Sequence, residues 1–232
     1  MILAAYAVPH PPLILPPIGA WAESKVAETT CAYREAMRAA AALRPDTVVV
    51  ISPHATCYGD YFHISPGVRA EGNFGAFGHP ELTVGIEYDE DFVRALSACA
   101  TAQDVPAGTI GEKETTLDHG TMIPLVFLSE YLGDAPTKFV RIGVSGLPAA
   151  THAALGKCIA TAAKLGRRTI CIASGDLSHR LRADTPNGFA SEGAEFDGLC
   201  TAFMGAGDFL SLLQVPGDFA EKAGHCGLNG LW

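Results

Sequence analysis

The chain has 232 residues, of which 48% are hydrophobic and 18% are charged, a balance typical of a compact globular protein with a buried core. Its formal net charge is −9 and its densest basic run is "GRRT", so the lack of concentrated positive charge excludes nucleic acid and anionic membranes as partners. Seven scattered cysteines without a CxxC pair argue against zinc ribbons and thioredoxin-like motifs, and they favour a reducing, cytoplasmic setting.

The apolar start of the chain is not typical of a signal peptide, because it lacks a basic region and is interrupted by His10 and its flanking prolines. Apolar strand patterns then alternate with helical ones. The predicted strands are 2–8, 46–52, 60–65, 82–88, 138–145 and 168–174. The predicted helices are 21–43, 89–102, 120–133, 148–166 and 191–207, the last with Ser191 as its cap.

This alternation predicts an α/β fold with a mostly parallel central sheet covered by helices on both faces. No linker is long enough to divide the chain, so one domain is expected over residues 1–232. The terminal "HCGLNGLW" stops within an apolar stretch. Either a short helix docks there, or the natural chain continues beyond it and the domain is truncated.

Histidines follow the ends of three predicted strands. His10 comes just after the first strand and His54 just after the second, while Asp176 and His179 follow the strand "TICIAS". Ligands of open α/β sheets bind at the carboxyl ends of strands, so we expect these side chains to meet in one crevice. Pro11 and Pro53 stiffen the backbone beside His10 and His54, which suits metal ligands.

Metal chemistry of more than one kind fits this pattern. Two imidazoles and a carboxylate with open positions are typical of non-haem Fe(II) oxygenases, whereas three protein ligands and water suit hydrolytic zinc. Spacing does not separate the two, because the ligands come from distant strands. His119 and His179 are candidate general bases, and Asp118 and Asp176 either cap turns or orient those rings. His63 and His152 are predicted to be structural, and His79 is undecided.

Other active-site signatures are absent from the sequence. There is no GxSxG, no P-loop and no GxGxxG after a strand, and Ser178 beside His179 is poorly placed as a nucleophile. The segment "GNFGAFG" (72–78) is predicted to be a lid or wall over a pocket. The aromatic and sulfur side chains expected to wall that pocket are Tyr61, Phe74, Phe77 and Met122.

Four motifs, in order, carry a resemblance to a known family. "VPHPP", "VVVISPHA", "LDHGTMIPL" and "ASGDLSHRL" resemble the class III extradiol ring-cleavage dioxygenases in their LigB-type catalytic subunit, and most closely the branch that holds the Memo-like proteins. The similarity runs over nearly the whole chain. It implies the α/β fold predicted above and a metal-dependent active site.

The resemblance also implies residue roles. It implies Fe(II) bound by His10 and His54, an active-site position for His119, and His179 as the catalytic acid/base. Asp118 and Asp176, which flank these histidines, are the expected substrate contacts. The family's third ligand is a glutamate in a segment similar to "EKAGHCGLNGLW".

The chain departs from the family at that third ligand. Asn229 takes the place of the glutamate, while Cys226 matches the cysteine of Memo-like relatives and is the favoured ligand here. His225, Asn229 and Glu221 remain the alternatives. A ligand set of two histidines and one cysteine would favour zinc or copper over mononuclear iron.

The resulting prediction is a cytoplasmic, Fe(II)-dependent extradiol dioxygenase acting on a catecholic ring with O2, as a homodimer or with a partner subunit. Zinc and copper are the alternative metals. One alternative function is a Memo-like metal-binding or partner-binding protein without oxygenase activity. Another is a zinc-dependent hydrolase that uses the same cleft.

Overall fold

The computed structural model describes residues 1–113, 116–133 and 136–232. Within them the strands are β1 (Ile2–Val8), β2 (Thr47–Ser52), β3 (Phe62–His63), β4 (Arg69–Phe74), β5 (His79–Glu87), β6 (Ala107–Gly108), β7 (Lys138–Gly143) and β8 (Thr169–Ser174). The helices are α1 (Pro16–Gly19), α2 (Ala27–Ala42), α3 (Glu90–Ala102), α4 (His119–Leu132), α5 (Ala149–Ala162), α6 (Ser191–Ala206), α7 (Phe209–Leu213), α8 (Gly217–Ala223) and α9 (Leu228–Leu231).

The central sheet is parallel, with the strand order β1–β8–β2–β7. Its strands are rich in valine and isoleucine, whose branched side chains pack well on a pleated surface. Val8 of β1 pairs with Ser174 of β8, and Ile51 of β2 pairs with Ala173 of β8. The carboxyl ends of β1, β8 and β2 therefore lie side by side at one edge.

Helices cover both faces of this sheet, and β2 shows why. Val48 and Val50 face the hydrophobic core on the side of α2 and α4, whereas Val49 faces the core on the side of α3 and α5. Alternate residues of a strand point to opposite faces, so a strand buried on both faces is apolar throughout. The predicted α/β fold with a covered parallel sheet is confirmed.

The last helices form a third apolar cluster beside the sheet. Phe196 and Cys200 of α6 pack there with Leu212 of α7 and Leu228 of α9. The indole N–H of Trp232 donates to the carbonyl oxygen of Leu212 at 2.9 Å. A short helix thus docks in the terminal apolar stretch, and this contact fixes the segment just after Cys226.

Some predicted boundaries were wrong. The helix expected to begin at Trp21 begins at Ala27, because Trp21 has a left-handed backbone (φ +84°) and residues Ala22–Val26 form a 3-10 turn. Ser191 does not cap α6: it is the first helical residue, and its hydroxyl donates to Glu192 at 3.0 Å. Residues 72–74 of the expected lid belong to β4, which pairs antiparallel with β5.

No helix among the described residues is both long enough and apolar enough to cross a bilayer.

Candidate metal centre

The ends of the two strands that flank β8 bring two histidine rings into contact. His10 follows β1 and His54 follows β2, and their ring centroids lie 4.8 Å apart. The Nε2 atoms of the two rings are separated by 3.1 Å. His10 is only 1% exposed, while His54 is exposed to solvent, so the pair opens toward water on one side.

Cys226 completes a group of three donor atoms. Its Sγ lies 3.5 Å from Nε2 of His10, and the ligand atoms of His10, His54 and Cys226 all lie within 4.8 Å of one another. A second, overlapping group joins Cys226 to Asp176 and His179, with 3.8 Å between Sγ and Nε2 of His179. Two imidazoles and one thiolate form a donor set that fits zinc, copper or iron.

The tautomer of His10 is fixed by a buried serine. The Ser174 hydroxyl donates its single proton to the carbonyl oxygen of Gly120 at 2.5 Å. It must therefore accept the hydrogen bond from Nδ1 of His10, which lies 2.9 Å away. Nε2 of His10 is then left with a lone pair directed at His54 and Cys226. An outer hydrogen bond of this kind orients a histidine that ligates a metal.

Backbone contacts deliver Cys226 to these rings. The amide groups of Cys226 and Gly227 both donate to the carbonyl oxygen of Asp176, at 3.1 and 2.8 Å. The chain segments cross so closely that a Cβ added to Gly175 would lie 2.2 Å from the Cα of Gly227. A side chain at either glycine would force the segments apart, so the crossing needs both glycines.

Charge in the site concentrates on Cys226 and His179. Burial opposes ionisation of the Cys226 thiol, but the imidazole groups around it, the His179 ring among them, outweigh it and lower its pKa to about 5. The Asp176 carboxylate, 3.4 Å from Nε2 of His179, and then Cys226 raise the pKa of His179 to about 10. The site therefore holds a thiolate beside an imidazolium at neutral pH. A thiolate is also the form that ligates metals.

Asp118 and His119 open α4 at the rim of the site. The Asp118 carboxylate caps the helix by accepting from the backbone N–H of Thr121 at 2.8 Å, and it also accepts from the Ser52 hydroxyl at 2.6 Å. The His119 ring lies 4.2 Å from that of His54. Burial, followed by the charges of His54 and His10, lowers the pKa of His119 to about 4. His119 is thus a neutral imidazole.

The alternative third ligands lie outside both groups of donor atoms found among the described residues. His225 stacks on Phe196 with 5.2 Å between ring centroids, and its Nδ1 accepts from the Leu228 amide. The Asn229 side chain donates to the carbonyl oxygen of Ser145 at 3.3 Å. Glu221 belongs to α8.

The remaining predicted residues lie in different surroundings. His63 and His152 are buried, at 0% and 6% exposure, and His79 contacts Glu81 at 2.8 Å. Phe74 and Met122 are buried in the core and Tyr61 lies beside Tyr58, whereas Phe77 contacts His119.

Sequence reasoning missed three residues that shape the site: Ser174, Gly175 and Gly227. The small-residue pairs "SG" at the end of β8 and "CG" near the end of the chain were their only signal.

The model of the catalytic LigB subunit of aromatic ring-opening dioxygenases matches residues 4–229 of this chain. A curated relative, Protein CA_C1420 of Clostridium acetobutylicum, is 29% identical over 230 residues, covering 96% of this chain and 49% of that protein. The chain thus spans about half the length of this curated relative.

A solved structure is also similar: the uncharacterized protein JW3007 from Escherichia coli K12, with a TM-score of 0.51 and 17% identity. The match covers 86% of this chain and 81% of that one. At this level of identity the likeness supports the shared fold.

Proposed function

The chain belongs to the family of catalytic LigB subunits of aromatic ring-opening dioxygenases, within the LigB/Memo-like superfamily, and on that premise we propose that it is a metal-dependent extradiol dioxygenase. Its substrate would be a catecholic ring and its metal Fe(II). The observation that carries the proposal is the convergence of His10, His54 and Cys226, with the acid–base pair of Asp176 and His179 directly beside them.

His10, His54 and Cys226 would hold the metal. When bound, the metal supplies a Lewis acid that lowers the pKa of a catechol hydroxyl group, together with a centre able to exchange electrons. Since Nδ1 of His10 donates to Ser174, its Nε2 accepts, and Nε2 of His54 is the donor in the 3.1 Å contact between them. To hold a metal through Nε2, His54 would be a neutral imidazole with its proton on Nδ1, because a metal takes the lone pair of the other nitrogen.

His179 would move the substrate proton. Its side chain is 34% exposed and reaches the open side of the site, so a bound hydroxyl group can approach it. Asp176 accepts a hydrogen bond from its Nε2, which orients the ring. A metal on Cys226 would remove part of the negative charge that raises the pKa of His179, and a neutral His179 would accept a proton from the substrate hydroxyl.

His119 would play a different part. Because its pKa is lowered to about 4, it stays neutral and can donate one hydrogen bond to an oxygen atom of the reacting groups. Its place at the first turn of α4, held by the Asp118 cap, fixes the ring beside His54.

A second candidate function is favoured by one specific observation. The third donor is the soft thiolate of Cys226, no carboxylate of the described residues belongs to the group of His10 and His54, and this set suits zinc or copper. A Memo-like protein that binds such a metal, without oxygenase turnover, would use the same residues.

We propose further that the protein acts in the cytoplasm, as a homodimer or with a partner subunit. All seven cysteines are free thiols, and a reducing compartment would preserve the thiolate of Cys226.

A ring-cleavage assay tests the function. The protein is loaded anaerobically with Fe(II), catechols and aminophenols are added, and O2 is then admitted. Yellow ring-fission product is expected from at least one substrate. His10→Ala and His54→Ala should lose metal, whereas His179→Ala should keep metal and lose turnover. His79→Ala is the matched control, because that histidine contacts Glu81 away from the cluster. No product from any substrate, with tight retention of zinc or copper, contradicts the dioxygenase and favours the Memo-like alternative.

A further inference from the structure

A large apolar side chain borders the candidate metal centre. Phe77 lies in the turn between β4 and β5, and its ring centroid is 5.4 Å from that of His119. The residue is 37% exposed, although full burial of such a side chain would contribute about 1.5–3 kcal/mol. Among the exposed large apolar residues in the described part of the chain, it is the one with a ring contact to a histidine of the site.

The rings form a continuous series from the metal donors to the surface. Centroid distances along it are 4.8 Å from His10 to His54, 4.2 Å from His54 to His119, and 5.4 Å from His119 to Phe77. The planes of His119 and Phe77 are inclined at 71°, so the two rings make a corner. A flat ring placed in such a corner can stack on one face while it meets the other edge-on, and both arrangements are favourable.

The turn that carries Phe77 is held in place. Gly78 adopts a left-handed backbone (φ +85°) that favours glycine, and its amide donates to Gly75 at 3.0 Å. The Asn73 side chain accepts from the Gly75 amide at 2.8 Å, and the neighbouring Phe74 is fully buried. The turn is therefore anchored at its first residues and closed at its last.

The β4 strand is also fixed relative to His119. A Cβ at Gly72 would lie 2.7 Å from the carbonyl oxygen of Leu117 and 2.8 Å from Sδ of Met122, so β4 presses directly on the segment that leads into α4. Since His119 begins α4, the separation of Phe77 and His119 is set by this packing.

We propose that Phe77 is a specificity-determining residue, whose ring forms the outer wall of the substrate site and packs against the ring of an aromatic substrate. This inference rests on the proposed function and names the part of the substrate that is recognised. A metal held by His10, His54 and Cys226 would bind the oxygen atoms of the substrate, and Phe77 selects for a flat, apolar ring behind them.

Binding of two probes to the Fe(II)-loaded protein under anaerobic conditions tests this role without turnover. 4-Nitrocatechol, followed by its absorbance change, carries a ring; acetohydroxamate chelates metal without one. Phe77→Ala should raise the dissociation constant of 4-nitrocatechol about fivefold or more, the scale of a lost aromatic contact, and leave acetohydroxamate binding and iron content unchanged. Phe77→Trp should restore binding, and Phe77→Leu should not. Phe209→Ala, at an exposed phenylalanine of α7, is the matched control.

The failure of this inference is distinct from that of the proposed function. If the wild-type protein binds 4-nitrocatechol and the Phe77→Ala variant binds it with equal affinity, the role of Phe77 is overturned. The dioxygenase proposal then still stands. Equal losses for both probes also overturn it, because the variant would then have disturbed the metal centre. Absence of 4-nitrocatechol binding by the iron-loaded wild-type protein overturns both proposals.

Discussion

Replacing Gly227 by alanine should weaken metal binding without touching any ligand. The added Cβ would lie 2.8 Å from the carbonyl carbon and oxygen of Gly175 and 3.0 Å from the carbonyl oxygen of Asp176. Ordinary contact begins at 3.4 Å, so the segments must separate by about 0.6 Å. All the atoms that clash belong to the backbone, which cannot rotate away. The displacement moves Cys226, the adjacent residue, away from His10.

The expected magnitude follows from this displacement. Overpacking of this kind lowers the free energy of unfolding by about 1–3 kcal/mol. In a chain of this size that corresponds to a melting temperature lower by about 2–12 °C. Loss of ligand alignment should raise the dissociation constant of Zn(II) about tenfold or more. Competition with a chromophoric chelator measures the affinity, and thermal unfolding of the metal-free protein measures the stability.

Gly230→Ala is the matched control in the same segment. A Cβ at Gly230 would lie 3.7 Å from Ala173 and Ile51 side-chain atoms, which is ordinary contact. Its zinc affinity should therefore equal that of the wild-type protein. The reasoning is refuted if Gly227→Ala binds zinc as tightly as Gly230→Ala.

Two further variants probe the support of the site. Ser174→Ala removes the acceptor for Nδ1 of His10, so zinc affinity should fall about tenfold, and an unchanged affinity would show that the serine does not orient the ring. Asp118→Ala removes the cap of α4 and the partner of Ser52, so the free energy of unfolding in urea should fall by about 1–2 kcal/mol. Asp118→Asn keeps a capping side chain, so its free energy of unfolding should fall by less than that of Asp118→Ala. Equal decreases in the two variants would contradict the capping role.

Strand-end patterns were sufficient to predict the contact between His10 and His54. Each histidine follows a strand of the parallel sheet, and both of these strands pair with β8, so their carboxyl ends lie at the same edge. The same logic placed Asp176 and His179 beside them. Local patterns carry this information because a strand fixes the direction of the residues that follow it.

The third donor was harder to assign, and for a physical reason. Cys226, His225 and Asn229 lie within five positions, so the donor is selected by the register of the segment and not by residue type. That register depends on the amide contacts with the Asp176 carbonyl and on the glycine crossing, which are long-range. The sequence does not distinguish Ser174 from other strand residues, because the carbonyl oxygen that accepts its proton belongs to Gly120, in a helix distant along the chain.

X-ray absorption spectroscopy of the zinc-loaded protein tests the central claim most directly. The ligand set of His10, His54 and Cys226 predicts one sulfur neighbour at about 2.3 Å and imidazole nitrogens at about 2.0 Å from the metal. Cys226→Ser should lose the sulfur neighbour and retain the imidazole signal. A wild-type spectrum with nitrogen and oxygen neighbours but no sulfur would contradict the metal centre described above.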